Sequence, residues 1–247
     1  MIKYTYVFLA IIFIITGCNT NSLREPEEML SLGGNKTKVN KKGRYISFPG
    51  VTAVADVTST DRAFFDDLYS ELSKIPQLTQ YYALLPAKSY HMTTNNLYVK
   101  GTRKKWAEFL TDKLAWFQKF HKDLEAKAIS PQAALDNIQV ERVISLILTL
   151  DDEDRDKIYD FGKEFQVDNS IPSPFHITLA YLYKDIPLRI KKDIKFKVDK
   201  IFQKLKKKHN YQNKKLSLGL ASLRYFDSML EFIPWDGEAL PEDLAHK

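Results

Sequence analysis

From Gly43 onward, short apolar runs alternate with stretches whose apolar residues recur every three to four positions. Val51–Val57 is a β-branched apolar run that predicts a strand, and Ser59, Thr60 and Asp61 offer N-caps for a helix reaching about Ser73. Tyr81–Leu85 and Ser89–Tyr98 predict two strands around Pro86, paired as a hairpin. Thr102 to Lys127 carries the strongest helical pattern, with Trp106, Phe109, Leu110, Leu114, Phe117 and Leu124 close to one stripe. A second pass of the same kind follows. Val140–Leu150 predicts a strand, Asp151–Gln166 a helix, Pro174–Tyr183 a strand, and Pro187–Lys208 a helix with Ile194, Val198, Ile201, Phe202 and Leu205 on one face. Leu216–Tyr225 and Met229–Pro234 predict two closing strands. The interleaving implies an α+β fold of two pseudo-symmetric lobes, each of antiparallel sheet with helices.

The start of the chain has a different texture. Met1–Gly17 has a short positive beginning at Lys3 and a nine-residue apolar run, Val7–Ile15. A membrane-spanning helix needs about 18–20 apolar residues, so this run is too short to cross. It ends in Ile15-Thr16-Gly17-Cys18, which resembles the lipobox of bacterial lipoproteins. The resemblance implies a signal peptide over 1–17, a lipid-bearing Cys18 as membrane anchor, and a polar tether over 18–42. By the same resemblance, Asn19 after the cysteine, where retained lipoproteins carry Asp, points to the outer membrane of a Gram-negative envelope. The folded domain is expected over 43–237, with a C-terminal tail over 238–247.

Composition narrows the classes. With 44% apolar and 13% aromatic residues, disorder is excluded, and a single cysteine excludes an intrachain disulfide framework and multi-cysteine zinc sites. The net charge of +6 favours anionic ligands without identifying one. Asp151–Asp156 (DDEDRD) reads as acidic residues opening a helix, where they complement its dipole, rather than as a metal site. The eleven lysines of Lys191–Lys215 read mainly as the solvated side of an amphipathic helix.

Two segments share one pattern of aromatic, His, apolar and Thr: Tyr90-His91-Met92-Thr93 and Phe175-His176-Ile177-Thr178. Strand side chains alternate faces, so His91 projects with Thr93, and His176 with Thr178, each pair roughly 6.5–7 Å apart along its strand. Parity places Ser89 and Asn95 on the polar face with His91. It places Phe175, Ile177, Leu179 and Tyr181 on a buried face opposite His176, away from substrate. Two such pairs across a cleft would supply two imidazoles and two hydroxyls. One neutral ring can accept a proton while an imidazolium donates one, and the hydroxyls can hold phosphoryl oxygens. This chemistry needs neither metal nor cofactor, and no metal-ligand spacing such as HExxH is present.

At these residues the chain resembles the 2H (two-histidine) phosphoesterase superfamily, which is defined by two His-x-Thr/Ser motifs on equivalent strands of two lobes. The likeness is carried by Phe48-Pro49-Gly50, Leu84-Leu85-Pro86, His91-Met92-Thr93 and Phe175–Tyr181, and spans roughly Gly43 to Trp235. Thr94 departs from the pattern, which has an apolar residue there. The resemblance implies a metal-independent phosphodiesterase acting on a nucleotide or RNA-end phosphate, with a 2′,3′-cyclic phosphate favoured. His91 and His176 would be the acid/base pair, with Thr93 and Thr178 gripping phosphate. His176 is favoured as base and His91 as acid for ring opening, an assignment the sequence does not decide. A lipoprotein that binds a nucleotide or phosphoryl ligand without turnover is the alternative.

Overall fold

A computed structural model of the protein describes residues 28–32, 38–102 and 105–245. Residues 1–27, and with them the signal peptide and Cys18, lie outside the described residues. In chain order, the strands are β1 (Met29–Leu30), β2 (Gly50–Asp56), β3 (Tyr82–Leu84), β4 (His91–Val99), β5 (Gln132–Val140), β6 (Val143–Leu150), β7 (His176–Leu182), β8 (Ile186–Pro187), β9 (Leu216–Ser217), β10 (Ser222–Ser228) and β11 (Glu231–Pro234). The helices are α1 (Arg62–Ser73), α2 (Pro76–Tyr81), α3 (Trp106–Asp112), α4 (Leu114–Lys127), α5 (Asp152–Glu164), α6 (Leu188–Lys208) and α7 (Glu242–Ala245).

The two predicted lobes form one continuous antiparallel sheet in the order β11-β10-β2-β4-β7-β6-β5-β9, with β3 also on β7. The middle of that order joins the two motif strands directly. Each lobe repeats one arrangement, with β4 paired to β2 on one side of the seam and β7 paired to β6 on the other. The expected β3–β4 hairpin is absent. Tyr82–Leu84 and Met92 instead occupy successive stretches of the same edge of β7, at Leu182–Ala180 and Ile177. β4 therefore touches β7 only near its start and then diverges, which opens a groove between the lobes.

Helical burial follows the apolar spacing. Ile194, Val198, Phe202 and Leu205 of α6 are buried, each worth about 1.5–3 kcal/mol relative to exposure. The single helix predicted over 102–127 is two, α3 and α4, meeting at Lys113, yet Trp106, Leu110, Phe117 and Leu124 of the expected stripe are all buried. The acidic run after Leu150 opens α5 as expected. β5 was not foreseen, because its alternation of buried and open positions is carried by small and polar residues, QAALDNIQV.

Asp61 does not cap α1 with its side chain. Its carboxylate is buried and accepts from the Tyr211 hydroxyl, the Ser217 amide (3.0 Å) and Lys214 Nζ (3.4 Å). It thus ties the start of α1 to the chain after α6. The packed body also reaches beyond 43–237. β1 pairs with β8, Leu32 and Val39 are buried, Val39 bridges to Tyr45, and Leu244 of α7 is fully buried. The polar character of the flanking residues conceals these isolated apolar anchors.

Candidate active site

The seam between the lobes brings the two motifs together. Met92 pairs with Ile177, and both side chains are fully buried. One residue to either side, the antiparallel register sets His91 opposite Thr178 and Thr93 opposite His176. Directly opposed residues have Cβ atoms roughly 4.5–5.5 Å apart and diagonal ones roughly 7–8 Å, so the two histidines stand on a diagonal with a threonine beside each. All four line one cavity of about 550 Å³. The neighbouring strands complete the row, with Val54 facing Thr93 and Ser145 facing Thr178.

A β-bulge follows each motif. Along β4, Val54 pairs with Thr93 but Ala53 pairs with Asn95, leaving Thr94 as the extra residue. Along β7, Ser145 pairs with Thr178 but Ile144 pairs with Ala180, leaving Leu179 as the extra residue. An inserted residue reverses the alternation beyond it. Asn95, expected beside His91, is therefore buried, with its amide against Gly162 of α5. Tyr181, expected to face away from substrate, lines the cavity for the same reason. The bulges also account for the departure at Thr94. That position is buried in either lobe, which suits the usual apolar residue, and here the Thr94 hydroxyl is satisfied by the Ala53 carbonyl at 3.2 Å.

The rings are oriented identically. Nδ1 of His91 lies 2.8 Å from the Ser89 carbonyl, and Nδ1 of His176 lies 2.9 Å from the Pro174 carbonyl, two residues upstream in both cases. A carbonyl only accepts, so Nδ1–H donates in both rings and Nε2 is left for the cavity. Ser89 thus acts through its carbonyl; its own hydroxyl turns back to Pro86. Burial pulls the His91 pKa below the ordinary histidine value. The Ser89 carbonyl and Asp56 oppose that shift, while Arg224 and His176 add to it. Asp56, the strand partner of His91, is held by Arg224 at 2.7 Å.

Much of the rest of the cavity is aromatic and apolar, with Thr52 and Asn96 among its polar members. Phe232 packs against the His91 ring, centroids 4.1 Å apart, and Phe226 follows at 4.9 Å with Phe48 beyond it at 6.3 Å. The Phe48-Pro49-Gly50 segment has a steric role in this wall. A Cβ on Gly50 would meet Phe226 Cζ at 2.4 Å, so the glycine lets the ring lie on the β2 backbone. Lys38 extends over Phe48 (5.2 Å) and Tyr181 (4.9 Å) and places a cation in the same space. Sequence reasoning missed Lys38, which lay in the predicted tether, Phe232, read only as a strand residue, and Phe226, which fell just past the end of the predicted strand Leu216–Tyr225. Ser145 was also missed, although a serine inside the apolar run VISLILTL is a signal that something polar is faced there.

Comparison with known proteins bears on this site in part. Residues 38–144 match a family model described as "2H-phosphodiest: Domain of unknown function (DUF1868)", a stretch that contains His91 and Thr93 and ends before His176. The chain is 25% identical over 181 residues to "Uncharacterized protein 127L" of Invertebrate iridescent virus 6, covering 62% of this chain and 75% of that protein. A crystal structure of a conserved protein of unknown function from Agrobacterium tumefaciens superposes with a TM-score of 0.63 at 16% identity, covering 80% of this chain and 89% of the other. The shared fold and the family match support the resemblance to the 2H phosphoesterase superfamily.

Proposed function

We propose that this protein is a 2H-type phosphodiesterase that opens a nucleotide or RNA-end phosphodiester, a 2′,3′-cyclic phosphate above all, without a metal ion. One observation carries the reading: the Met92–Ile177 register sets two His/Thr pairs on one cavity wall with both Nε2 atoms available. His91, whose burial favours the neutral ring, takes the proton of the attacking water. This reverses the assignment favoured from sequence. The water oxygen bonds to phosphorus, the bond from phosphorus to one ribose oxygen breaks, and His176 as imidazolium gives that oxygen its proton. Thr93 and Thr178 donate to the non-bridging oxygens and hold phosphorus in line between attacker and leaving group. The aromatic wall of Phe48, Phe226 and Phe232 supplies a stacking surface for the base. Lipidation at Cys18 would hold the enzyme on an envelope membrane, and loss of palmitate labelling in Cys18→Ala tests that placement.

The activity is tested by turnover of 2′,3′-cyclic mononucleotides in EDTA. His91→Ala and His176→Ala are each expected to slow it by at least about 10²-fold. Wild-type rates in both variants overturn the mechanism. Saturable binding with no product in the wild type supports the non-catalytic alternative instead.

A further inference from the structure

A second cavity, of about 310 Å³, opens on the other side of the His91 ring. His91 and Phe232 line both spaces, so this packed pair of rings forms the partition between them. The two sides differ in chemistry. Beyond its two His/Thr pairs the first cavity is walled mainly by aromatic and aliphatic side chains, with Lys38 as its cation, whereas the second gathers Arg62, Lys88 and Arg224 with Asp56 and Glu231.

The charges do not cancel. Arg224 is committed to Asp56 at 2.7 Å, to the Ser222 hydroxyl at 2.8 Å and to the Phe232 carbonyl at 3.3 Å. Arg62 is fixed by one bond from Nη1 to the Ala87 carbonyl at 2.9 Å, which leaves its other N–H groups to donate. Lys88, in the short helical turn Ala87–Ser89, has no hydrogen bond or ion pair among the described residues. With Asp56 neutralised, two cations face the single carboxylate of Glu231. The site is concave, net positive and shares the ring of His91, the proposed base, with the first cavity.

We infer that this second cavity is a subsite for the neighbouring phosphodiester of a nucleic-acid chain, with Lys88 and Arg62 as its anion-binding groups. The inference rests on the phosphodiesterase reading and deepens it: the preferred substrate is an oligonucleotide, whose successive phosphates lie on either side of the His91–Phe232 partition. A mononucleotide fills only the aromatic side. Lys88 and Arg62 contact phosphate without reading a base, so the subsite selects for chain length and not for sequence.

Calorimetric binding to the full chain tests this without turnover, using a nucleoside 3′-monophosphate and a dinucleotide that carries a 3′-phosphate. The dinucleotide is expected to bind at least about tenfold more tightly at low salt, with an advantage that shrinks as salt rises. In Lys88→Glu, an exposed change that leaves the core alone, the ratio of the two affinities is expected to fall to about one. Equal affinities in the wild type, or an advantage that survives Lys88→Glu, overturn the subsite and leave the activity standing. Failure of both ligands to bind overturns the activity and the subsite together.

Discussion

Gly50→Ala is a sharp test of how the aromatic wall is built. The added methyl carbon would lie 2.4 Å from Phe226 Cζ and 2.8 Å from the Tyr98 carbonyl oxygen, where ordinary contact begins at 3.4 Å. The ring can retreat by about 1 Å, but the carbonyl belongs to β4, which is hydrogen-bonded to β2 at this point, so backbone must move as well. Overpacking of this kind costs about 1–3 kcal/mol. For a domain of this size that lowers the melting temperature by roughly 2–12 °C. The displacement also travels, because Phe226 supports Phe232 and Phe232 supports the His91 ring. Misplacement of a reacting group by about 1 Å can cost 10²-fold, and a displacement damped through two rings is expected to cost about tenfold in kcat/KM. Thermal unfolding and cyclic-nucleotide turnover on the same preparation read both effects. Phe226→Leu in the same chain relieves the clash with the ring but not with the carbonyl, so it should restore stability only in part. An unchanged melting temperature together with full activity in Gly50→Ala would refute this account of the wall.

The seam and the motif chemistry make further predictions. Ile177→Ala empties a fully buried position that is itself half of the Met92–Ile177 pair joining β4 to β7, and should destabilise the fold by about 2–5 kcal/mol in denaturant unfolding. Thr94→Val removes a single 3.2 Å bond to the Ala53 carbonyl and restores the apolar residue of the motif pattern; it should cost only about 0.5–1.5 kcal/mol and leave turnover intact. Because burial lowers the His91 pKa, kcat/KM should hold as pH falls past the ordinary histidine value and be lost only at lower pH, as the ring protonates. The same shift makes the unfolded chain the better proton acceptor, so stability should decline from the ordinary histidine value downward. An NMR titration that places the His91 midpoint above that value would contradict both.

Much of the site was legible in the sequence because it rests on strand parity. His91, Thr93, His176 and Thr178 line one cavity, as two-residue spacing requires. Parity failed one step later in both lobes. A bulge at Thr94 or at Leu179 leaves no mark in a single sequence, since the inserted residue looks like any other member of an apolar or mixed strand. Asn95 and Tyr181 were misassigned for that one reason. The longer helices α1, α4, α5 and α6 fall within stretches read as helical, whereas the break at Lys113, the short α2 and α7, and the pairing of β3 with β7 were not legible. Adjacent strands favour a hairpin locally, and only the tertiary competition for the edge of β7 decides otherwise.

The continuous sheet has a consequence for how such a protein can diversify. The separation of His91 and His176 is held by main-chain pairing across the centre of a ladder, whereas Phe48, Phe226, Phe232 and Lys38, which line the same cavity, contribute only side chains. Replacing those side chains changes which molecules are taken in without altering the span between the rings. Under the proposed function, selectivity can therefore drift while the reaction stays fixed.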